Sequence, residues 1–202
     1  MKRDHLMKEI AETGYNVGYA AKKHLATFDI ADKAPGWVTL LTLTIGIFAL
    51  VISKLEDHLV GATVLVIGVV SLYINTYVDI RGTYERAGVR LTQIFTELRA
   101  LYNEAKGRDP DAAVDDLKER FVILQNESQV IGISKQIFMS DWYAHYKFFW
   151  QAQTGWLDEQ LHFSFWRDKV PLSASVTGAI LLIVAAYETV TTLLAIAQAH
   201  FC

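Results

Sequence analysis

Two uncharged segments decide the fold of this chain: APGWVTLLTLTIGIFALVIS at residues 34–53 and LVGATVLVIGVVSLYINTYV at residues 59–78. Only KLEDH, residues 54–58, separates them. An α-helix of about 20 residues rises about 30 Å, the thickness of the hydrocarbon core of a bilayer. The two segments therefore predict a transmembrane hairpin at residues 34–78 and an integral membrane protein in contact with lipid. A soluble protein with a buried hairpin is the alternative, but a chain of 202 residues that is 52% hydrophobic has little left to surround one.

A third apolar stretch begins after Lys169 and carries no formal charge until Glu188. Residues 170–200 are long enough to cross a bilayer with tilt. Residues 169–202 therefore predict a membrane-associated helix, and we expect it to be a third span.

Charge placement predicts the orientation. Lys and Arg lie before residue 34 and between residues 79 and 169, whereas the link between the first two segments holds only Lys54 and none follows Lys169. The positive-inside rule then places residues 1–33 and 79–168 in the cytoplasm and the link outside.

Composition argues against several classes of function. The formal net charge of −3 excludes a broadly basic protein, so we expect no duplex nucleic acid as a partner. The single cysteine, Cys202, cannot form an intrachain disulfide, and no spacing of zinc ligands occurs. The chain also lacks a phosphate-binding glycine loop, a nucleophile elbow and a paired-histidine motif. These observations predict no enzyme, no catalytic residue, no metal and no cofactor.

Apolar residues after the second segment recur at alternating steps of four and three, the 3.5-residue period of a left-handed helical seam. They are Ile80, Tyr84, Ala87, Leu91, Ile94, Leu98, Leu101 and Ala105. Since no strong helix breaker intervenes, we expect the second span to continue as one helix to about Lys106. A helix bearing Ala113, Leu117, Phe121 and Leu124 on one face would then return along it. The seam could pack within one chain, as a helical hairpin, or line an interface between copies, and both could hold. No strand-like alternation occurs, so the fold class is all-α.

Basic residues supply candidate binding groups for an anionic ligand. Residues 1–33 predict a short amphipathic helix with a Lys-Lys-His cluster near the membrane entrance, where attraction to anionic lipid headgroups is the simpler interpretation. Capture of an anion or a nucleotide is the alternative. The candidate ligand contacts are Lys22, Lys23, His24, Arg81, Arg86, Arg90 and Arg99.

The region of residues 142–166 is dense in aromatic side chains. Trp and Tyr gather at the headgroup level of membranes, so an interfacial belt or simple helix packing is expected. Stacking platforms for nucleobases are the alternative.

Polar side chains in the apolar segments are candidates for a pore lining. They are Thr63, Ser71 and Asn75, which lie on one face of the second segment, and Glu188 in the third. Hydroxyl residues serve helix packing equally well, and Glu188 could simply mark the end of a span.

Three strings resemble the SLATT family of two-transmembrane effectors: GYNVGYAAKKHLATFDIADKAP at residues 14–35, WLDEQL at residues 156–161 and DKVPLS at residues 168–173. The family is associated with bacterial nucleotide-signalling defence against phage. The resemblance covers most of the chain, and its strings are structural and carry no catalytic signature. It implies a protein of the bacterial inner membrane.

The resemblance also implies a function. Family members are thought to oligomerise into channels that depolarise the cell in abortive infection. The nearest analogy is the channel of a Hailong-type system, which suggests a homotetramer gated by a cyclic or linear oligonucleotide from a partner nucleotidyltransferase. The ligand would bias the packing of the seam and so move the second span. A non-conducting membrane anchor for a cytoplasmic partner protein is the alternative function.

Overall fold

The computed structural model describes residues 2–52 and 57–201, and every regular element in these ranges is helical. The predicted all-α class is confirmed. The predicted outer link falls largely on residues 53–56, which lie outside the described residues. The helices are α1 (Arg3–Ala49), α2 (His58–Val78), α3 (Arg81–Gly107), α4 (Asp115–Ile131), α5 (Ser140–Tyr146), a π-helical segment (Lys147–Gln151), α6 (Gly155–Leu161), α7 (Phe165–Asp168) and α8 (Leu172–Phe201).

The chain divides into two units, Met1–His162 and Phe163–Cys202. The first holds α1 to α6 and the π-helical segment. Its polar part, which we call the body, comprises the first 33 residues of the chain together with residues 79–162. The second unit holds the short helix α7 and the apolar helix α8.

Helix α1 is 47 residues long and continues through Pro35 into the first apolar segment. The expectation that the helix of residues 1–33 is short is therefore wrong, because it is the first part of this longer helix. The first part of α1 instead packs inside the body, where residues such as Leu6, Ile10 and Ala26 are fully buried. Burial of this apolar face against α3 stabilises the helix far beyond its intrinsic propensity.

Helices α1 and α3 run antiparallel through the body, as their pairings show. Arg3 donates to the carbonyl of Arg108 at one end, and Asp32 pairs with Arg81 at 3.2 Å at the other. Between these two pairings, Gly18 of α1 and Gly88 of α3 allow the two helices to pack closely. A Cβ at Gly18 would lie 2.7 Å from the Phe95 ring, and one at Gly88 would lie 2.7 Å from Cγ of Leu25.

The seam of α3 is buried within this single chain. Seven of its eight predicted residues, from Tyr84 to Ala105, are at most 7% exposed. Helix α4 returns along α3 as predicted and buries Leu117, Phe121 and Leu124, although Val114 rather than Ala113 faces the core. The chain's own helices thus cover the predicted oligomer seam. Any interface between copies must therefore use other surfaces.

The second span does not run unbroken into α3, contrary to expectation. Helix α2 ends at Val78, Asp79 and Ile80 form a turn, and α3 begins at Arg81. Ile80 has φ −100° and ψ 2°, which interrupts the helical hydrogen bonds, and its side chain is 46% exposed rather than part of the seam. Side chains capture the released carbonyls: Arg81 donates to Val78 O at 2.8 Å, and Thr83 Oγ1 donates to Ile80 O.

Two described helices are long and apolar enough to cross a membrane, α2 and residues 172–191 of α8. Their side chains are almost entirely exposed within the single chain, as lipid-facing or partner-facing side chains would be. The helical part of the first apolar segment, residues 34–49, is not one of the two. This end of α1 exposes large apolar side chains such as Leu43 and Phe48.

Candidate functional site

A groove on the body brings together two of the predicted ligand contacts, Lys22 and Arg99. It lies between α1, α3 and the π-helical segment and has a volume of about 230 Å³. Among the described residues that line it, none is acidic. They are Gly18, Ala21, Lys22, Thr92, Phe95, Thr96, Arg99, Phe148, Ala152 and Gln153.

Lys22 supplies an uncompensated positive charge to this groove. Its side chain is partly buried, and within the described residues it has no ion-pair or hydrogen-bond partner. Burial lowers the pKa of Lys22, and the neighbouring ammonium of Lys147 lowers it further. A partly desolvated cation of this kind is stabilised by an incoming anion.

Lys147 is paired with Asp29, a carboxylate that it shares with Lys33. Its Nζ lies 2.9 Å from Asp29 Oδ2, and Lys33 Nζ lies 2.7 Å from Oδ1 of the same carboxylate. Burial would raise the pKa of Asp29, but the hydrogen bonds from Lys33 and Lys147 outweigh it and hold the pKa below its usual value. Because Asp29 pairs with these two lysines, it does not pair with Lys22, whose positive charge remains available to a ligand in the groove.

Arg99 supplies the second charge and is held by a neutral group. Its Nη1 donates to Oε1 of Gln153 at 2.7 Å, so the amide orients the guanidinium without cancelling its charge. Four further donors of the guanidinium remain for an anion. Thr92 and Thr96 also line the groove, and their hydroxyls donate to the α3 carbonyls of Gly88 and Thr92.

Aromatic rings form the apolar wall of the groove. Phe95 and Phe148 meet edge to face with ring centroids 6.5 Å apart, and Gly18 leaves the space that both rings occupy. The groove therefore combines two cations, hydroxyl groups and ring surfaces. This combination suits a ligand that carries both negative charge and a flat apolar part.

The other predicted ligand contacts are not in the groove. Lys23 pairs with Asp141 at 2.7 Å, and Arg81 pairs with Asp32. Arg90 donates to both carboxylate oxygens of Glu127 at 2.6 Å, which raises the pKa of Arg90 further. Arg86 is exposed on α3 outside the groove.

His24 is buried, and its role is structural. Its Nε2 accepts the backbone N–H of Ile133 at 2.9 Å, so Nδ1 carries the proton and donates to Ala20 O at 2.7 Å. Burial lowers the pKa of His24, which keeps the ring neutral. Both ring nitrogens are used, and the ligand role predicted for His24 is wrong.

Among the described residues of the aromatic stretch, two aromatic side chains are buried in the body, whereas others such as Tyr146 and Trp150 are exposed. Phe148 and Trp156 are buried, and Trp156 lies against Tyr102 and Phe95 at centroid distances of 5.3 and 5.5 Å. The close spacing of Gly14 and Gly18 in α1 was the available signal, since small residues four apart admit large rings. Sequence reasoning did not identify Phe95 or Gln153 as groove residues.

A second feature, the junction loop (residues 132–139), joins the body to α2. Tyrosine hydroxyls donate to its carbonyls: Tyr84 to Lys135 O at 2.6 Å and Tyr77 to Gln136 O at 3.3 Å. Thr27 of α1 also holds the loop, through Gln136 Oε1 at 2.6 Å. Ile137 is buried in a cluster with side chains of all three helices, namely Ala31, Ile74, Tyr77 and Tyr84.

The predicted pore residues lie on accessible helix surfaces. Thr63 and Asn75 of α2 and Glu188 of α8 are exposed, and Ser71 is half-buried. Their pore role stays a prediction. Among the described residues, no group of three or more metal-ligating side chains is arranged to hold an ion.

These features define a helical membrane protein whose polar body carries a cationic groove. The chain belongs to the SLATT family described as SMODS and SLOG-associating 2TM effector domain 6, whose model matches residues 1–178. The predicted family is thus confirmed, and with it a two-transmembrane effector domain of defence systems. No curated protein and no solved structure matches the chain.

Proposed function

We propose that this chain is an oligomeric effector of the bacterial inner membrane that opens an ion-conducting path when an anionic nucleotide-type ligand occupies the cationic groove. The observation that carries this proposal is the groove itself, in which Lys22 and Arg99 face aromatic walls with no acidic lining residue among those described. A binding site of this composition in the polar body of a membrane effector fits a receptor for a soluble signal. Depolarisation of the cell would be the consequence of opening.

The membrane part supports a conducting assembly. The family range ends near the start of α8, so we assign its two transmembrane segments to residues 34–53 and 59–78 and treat α8 as an additional span. A helix exposed on all sides in one chain needs lipid or other helices around it. In an oligomer, the polar face with Thr63, Ser71 and Asn75 would turn towards the path, and apolar faces would meet lipid.

The ligand would be a nucleotide or short oligonucleotide. Two cations suit phosphate groups, and the partly exposed ring of Phe95, which packs on the buried Phe148, offers an apolar contact to a base. A volume of about 230 Å³ accommodates roughly one nucleotide unit, so a longer oligonucleotide would leave its remaining units in solvent. A partner nucleotidyltransferase, as the family resemblance implies, would supply the ligand.

A continuous stretch of chain and a final hydrogen bond connect the groove to α2. Phe148 and Gln153 of the groove belong to the π-helical segment and its continuation, and this segment follows α5 directly. Helix α5 in turn follows the junction loop, whose Gln136 carbonyl is bonded to Tyr77 of α2. A ligand that displaces Phe148 or Gln153 would therefore pull on α5 and the loop, and so on the inner end of α2.

Ion flux from liposomes containing the purified chain tests this function. An indicator encapsulated in the liposomes reports potassium flux. We expect this flux to change when cyclic or linear di- and trinucleotides of adenine are added. The change should be lost in Lys22→Met and Arg99→Gln and kept in Lys118→Met, which alters an exposed lysine of α4. Absence of flux with every probe, with the protein inserted and oligomeric, would favour the non-conducting anchor.

A further inference from the structure

The tip of the junction loop presents two apolar side chains to the surroundings. Phe138 is 74% exposed and Met139 is 45% exposed. The residue before them, Ile137, is buried at 3%, so the loop is anchored immediately below its tip. Phe138 and Met139 are adjacent, and contiguous exposed apolar side chains mark contact sites for protein or membrane.

The tip lies at the level of the membrane-spanning part of α2. The loop is bonded in succession to Tyr84 of α3, Tyr77 of α2 and Tyr73 of α2, so it climbs past the break at Asp79 and Ile80 towards the span. Phe138 N–H donates to Tyr73 Oη at 3.1 Å. Tyr73 lies five residues before the end of α2, which corresponds to about 7.5 Å of helix inside the span.

The chain reverses direction at the tip. Met139 has φ 70°, a left-handed conformation that turns the chain sharply. Two residues later, Asp141 pairs with Lys23 at 2.7 Å, well down the polar part of α1. The loop thus rises to the level of the span and leaves it again at once.

Part of the backbone at the tip is already hydrogen-bonded within the protein. Non-helical backbone at membrane depth is tolerated only where its polar groups are satisfied by protein. The N–H of Phe138 is paired with Tyr73, Ile137 O accepts from Ser140 N at 3.2 Å, and Met139 O accepts from Tyr143 N at 3.2 Å.

We propose that Phe138 and Met139 insert into the bilayer beside the inner end of α2, at the boundary between the headgroups and the acyl chains. The occupant is phospholipid because α2 itself spans the membrane, and the tip is continuous with its lipid-facing surface. Insertion tethers the junction loop to the membrane plane independently of α2. This inference does not depend on conductance or on the groove.

Site-specific fluorescence in liposomes tests the insertion. An environment-sensitive nitrobenzoxadiazole label is placed on Phe138→Cys or Met139→Cys in a full-length Cys202→Ser background. The matched control is Ile123→Cys, which labels an apolar residue of similar exposure, 59%, on α4 of the body. Only variants that insert and elute as the parent protein does are compared, and the two tip sites provide independent tests.

We expect both tip labels to emit at shorter wavelength than the Ile123 label and to be quenched several-fold less by aqueous iodide. Lipids with a doxyl group near the headgroup should quench the tip labels more than lipids with a deep doxyl group. Equal iodide quenching at the tip and at residue 123 would overturn the proposal. Protection from iodide without quenching by either lipid would also overturn it, because protein rather than lipid would then cover the tip.

Discussion

The hydroxyl of Tyr84 donates to the backbone carbonyl of Lys135 over 2.6 Å, and this bond ties α3 to the junction loop. The ring is 1% exposed, and burial raises the pKa of Tyr84, so the hydroxyl remains a donor at any physiological pH. The loop holds on to three helices at once, and Tyr84 is its attachment to the helix that carries the groove residues Thr92 to Arg99.

Replacement of Tyr84 by Phe should lower the free energy of unfolding by about 1–2 kcal/mol, because the carbonyl of Lys135 loses its donor while the ring remains. Thermal unfolding in detergent measures the loss. The control is Tyr146→Phe, which removes an exposed hydroxyl and should leave the unfolding temperature unchanged. Equal effects of the two changes would contradict the role given to Tyr84.

His24 should make the stability of the body depend on pH. Burial lowers the pKa of His24 from its ordinary value of 6.5, and neighbouring Lys23 acts in the same direction against the hydrogen bond to Ala20. Between the folded and unfolded values the unfolded chain binds more protons, so acid favours unfolding. Stability is then full above about pH 6.5 and declines as the pH falls towards the folded value.

The measurement is the unfolding temperature between about pH 8 and pH 5.5, a range above the carboxylate titrations. His24→Gln should flatten the decline, since it removes the titrating group. His5→Gln, on the exposed start of α1, should keep the decline of the parent protein. A parent curve that is flat over this range would contradict the assignment.

The period of the sequence identified the core of α3 because burial of one helix face imposes that period. Seven seam residues and three of the four α4 residues were placed correctly from spacing alone. The prediction for Ile80 was wrong because the turn at Asp79 and Ile80 moves this residue out of the register of the buried face of α3. At that turn the side chains of Arg81 and Thr83 donate to the carbonyls of Val78 and Ile80, and hydrophobic spacing does not predict such local hydrogen bonds.

The groove could be predicted only in part. Charge selected Lys22 and Arg99, but it selected Arg90 and Lys23 equally, and their partners Glu127 and Asp141 come from distant parts of the chain. Which cation stays uncompensated is decided by the antiparallel packing of α1 and α3 and by the position of Gln153. Tertiary contacts of this kind have no signature in a single sequence.

Gly88 should tolerate no side chain. A Cβ there would lie 2.7 Å from Cγ of Leu25 and 3.2 Å from its backbone nitrogen, so α1 and α3 would have to separate. We expect Gly88→Ala to destabilise the body by about 1–3 kcal/mol, although alanine is the better helix former. Unfolding in denaturant measures this change.

Gly107→Ala is the matched control for Gly88→Ala, because open space surrounds residue 107 at the end of the same helix. It should be neutral or slightly stabilising. If Gly88→Ala were neutral, the distance of 2.7 Å between a Cβ at residue 88 and Cγ of Leu25 would be too short, and α1 and α3 would lie further apart.

Truncation within the seam should unfold the body rather than dissociate copies. Leu98 is fully buried within the chain, so Leu98→Ala should cost about 2–5 kcal/mol through lost burial and the cavity left behind. Val89→Ala, which changes a side chain on α3 that is 47% exposed, should cost far less. Mass photometry of the fraction that stays folded should give the same particle mass for both variants and the parent. A dissociated but stably folded Leu98→Ala would instead place the seam between copies.

The two cations of the groove should contribute separately to the affinity for an anion. A charge-assisted hydrogen bond contributes about 1.5–3 kcal/mol, so Lys22→Met and Arg99→Gln should each weaken binding of a linear triadenylate by about tenfold or more. Isothermal titration of the detergent-solubilised protein measures the affinity, and affinity should fall as salt rises. Lys118→Met, on the exposed face of α4, is the control and should bind as the parent does.

Gln153→Leu leaves both charges but removes the hydrogen bond that orients Arg99. It should therefore lose less affinity than Arg99→Gln does. Equal binding by all four variants would show that the triadenylate does not use this groove.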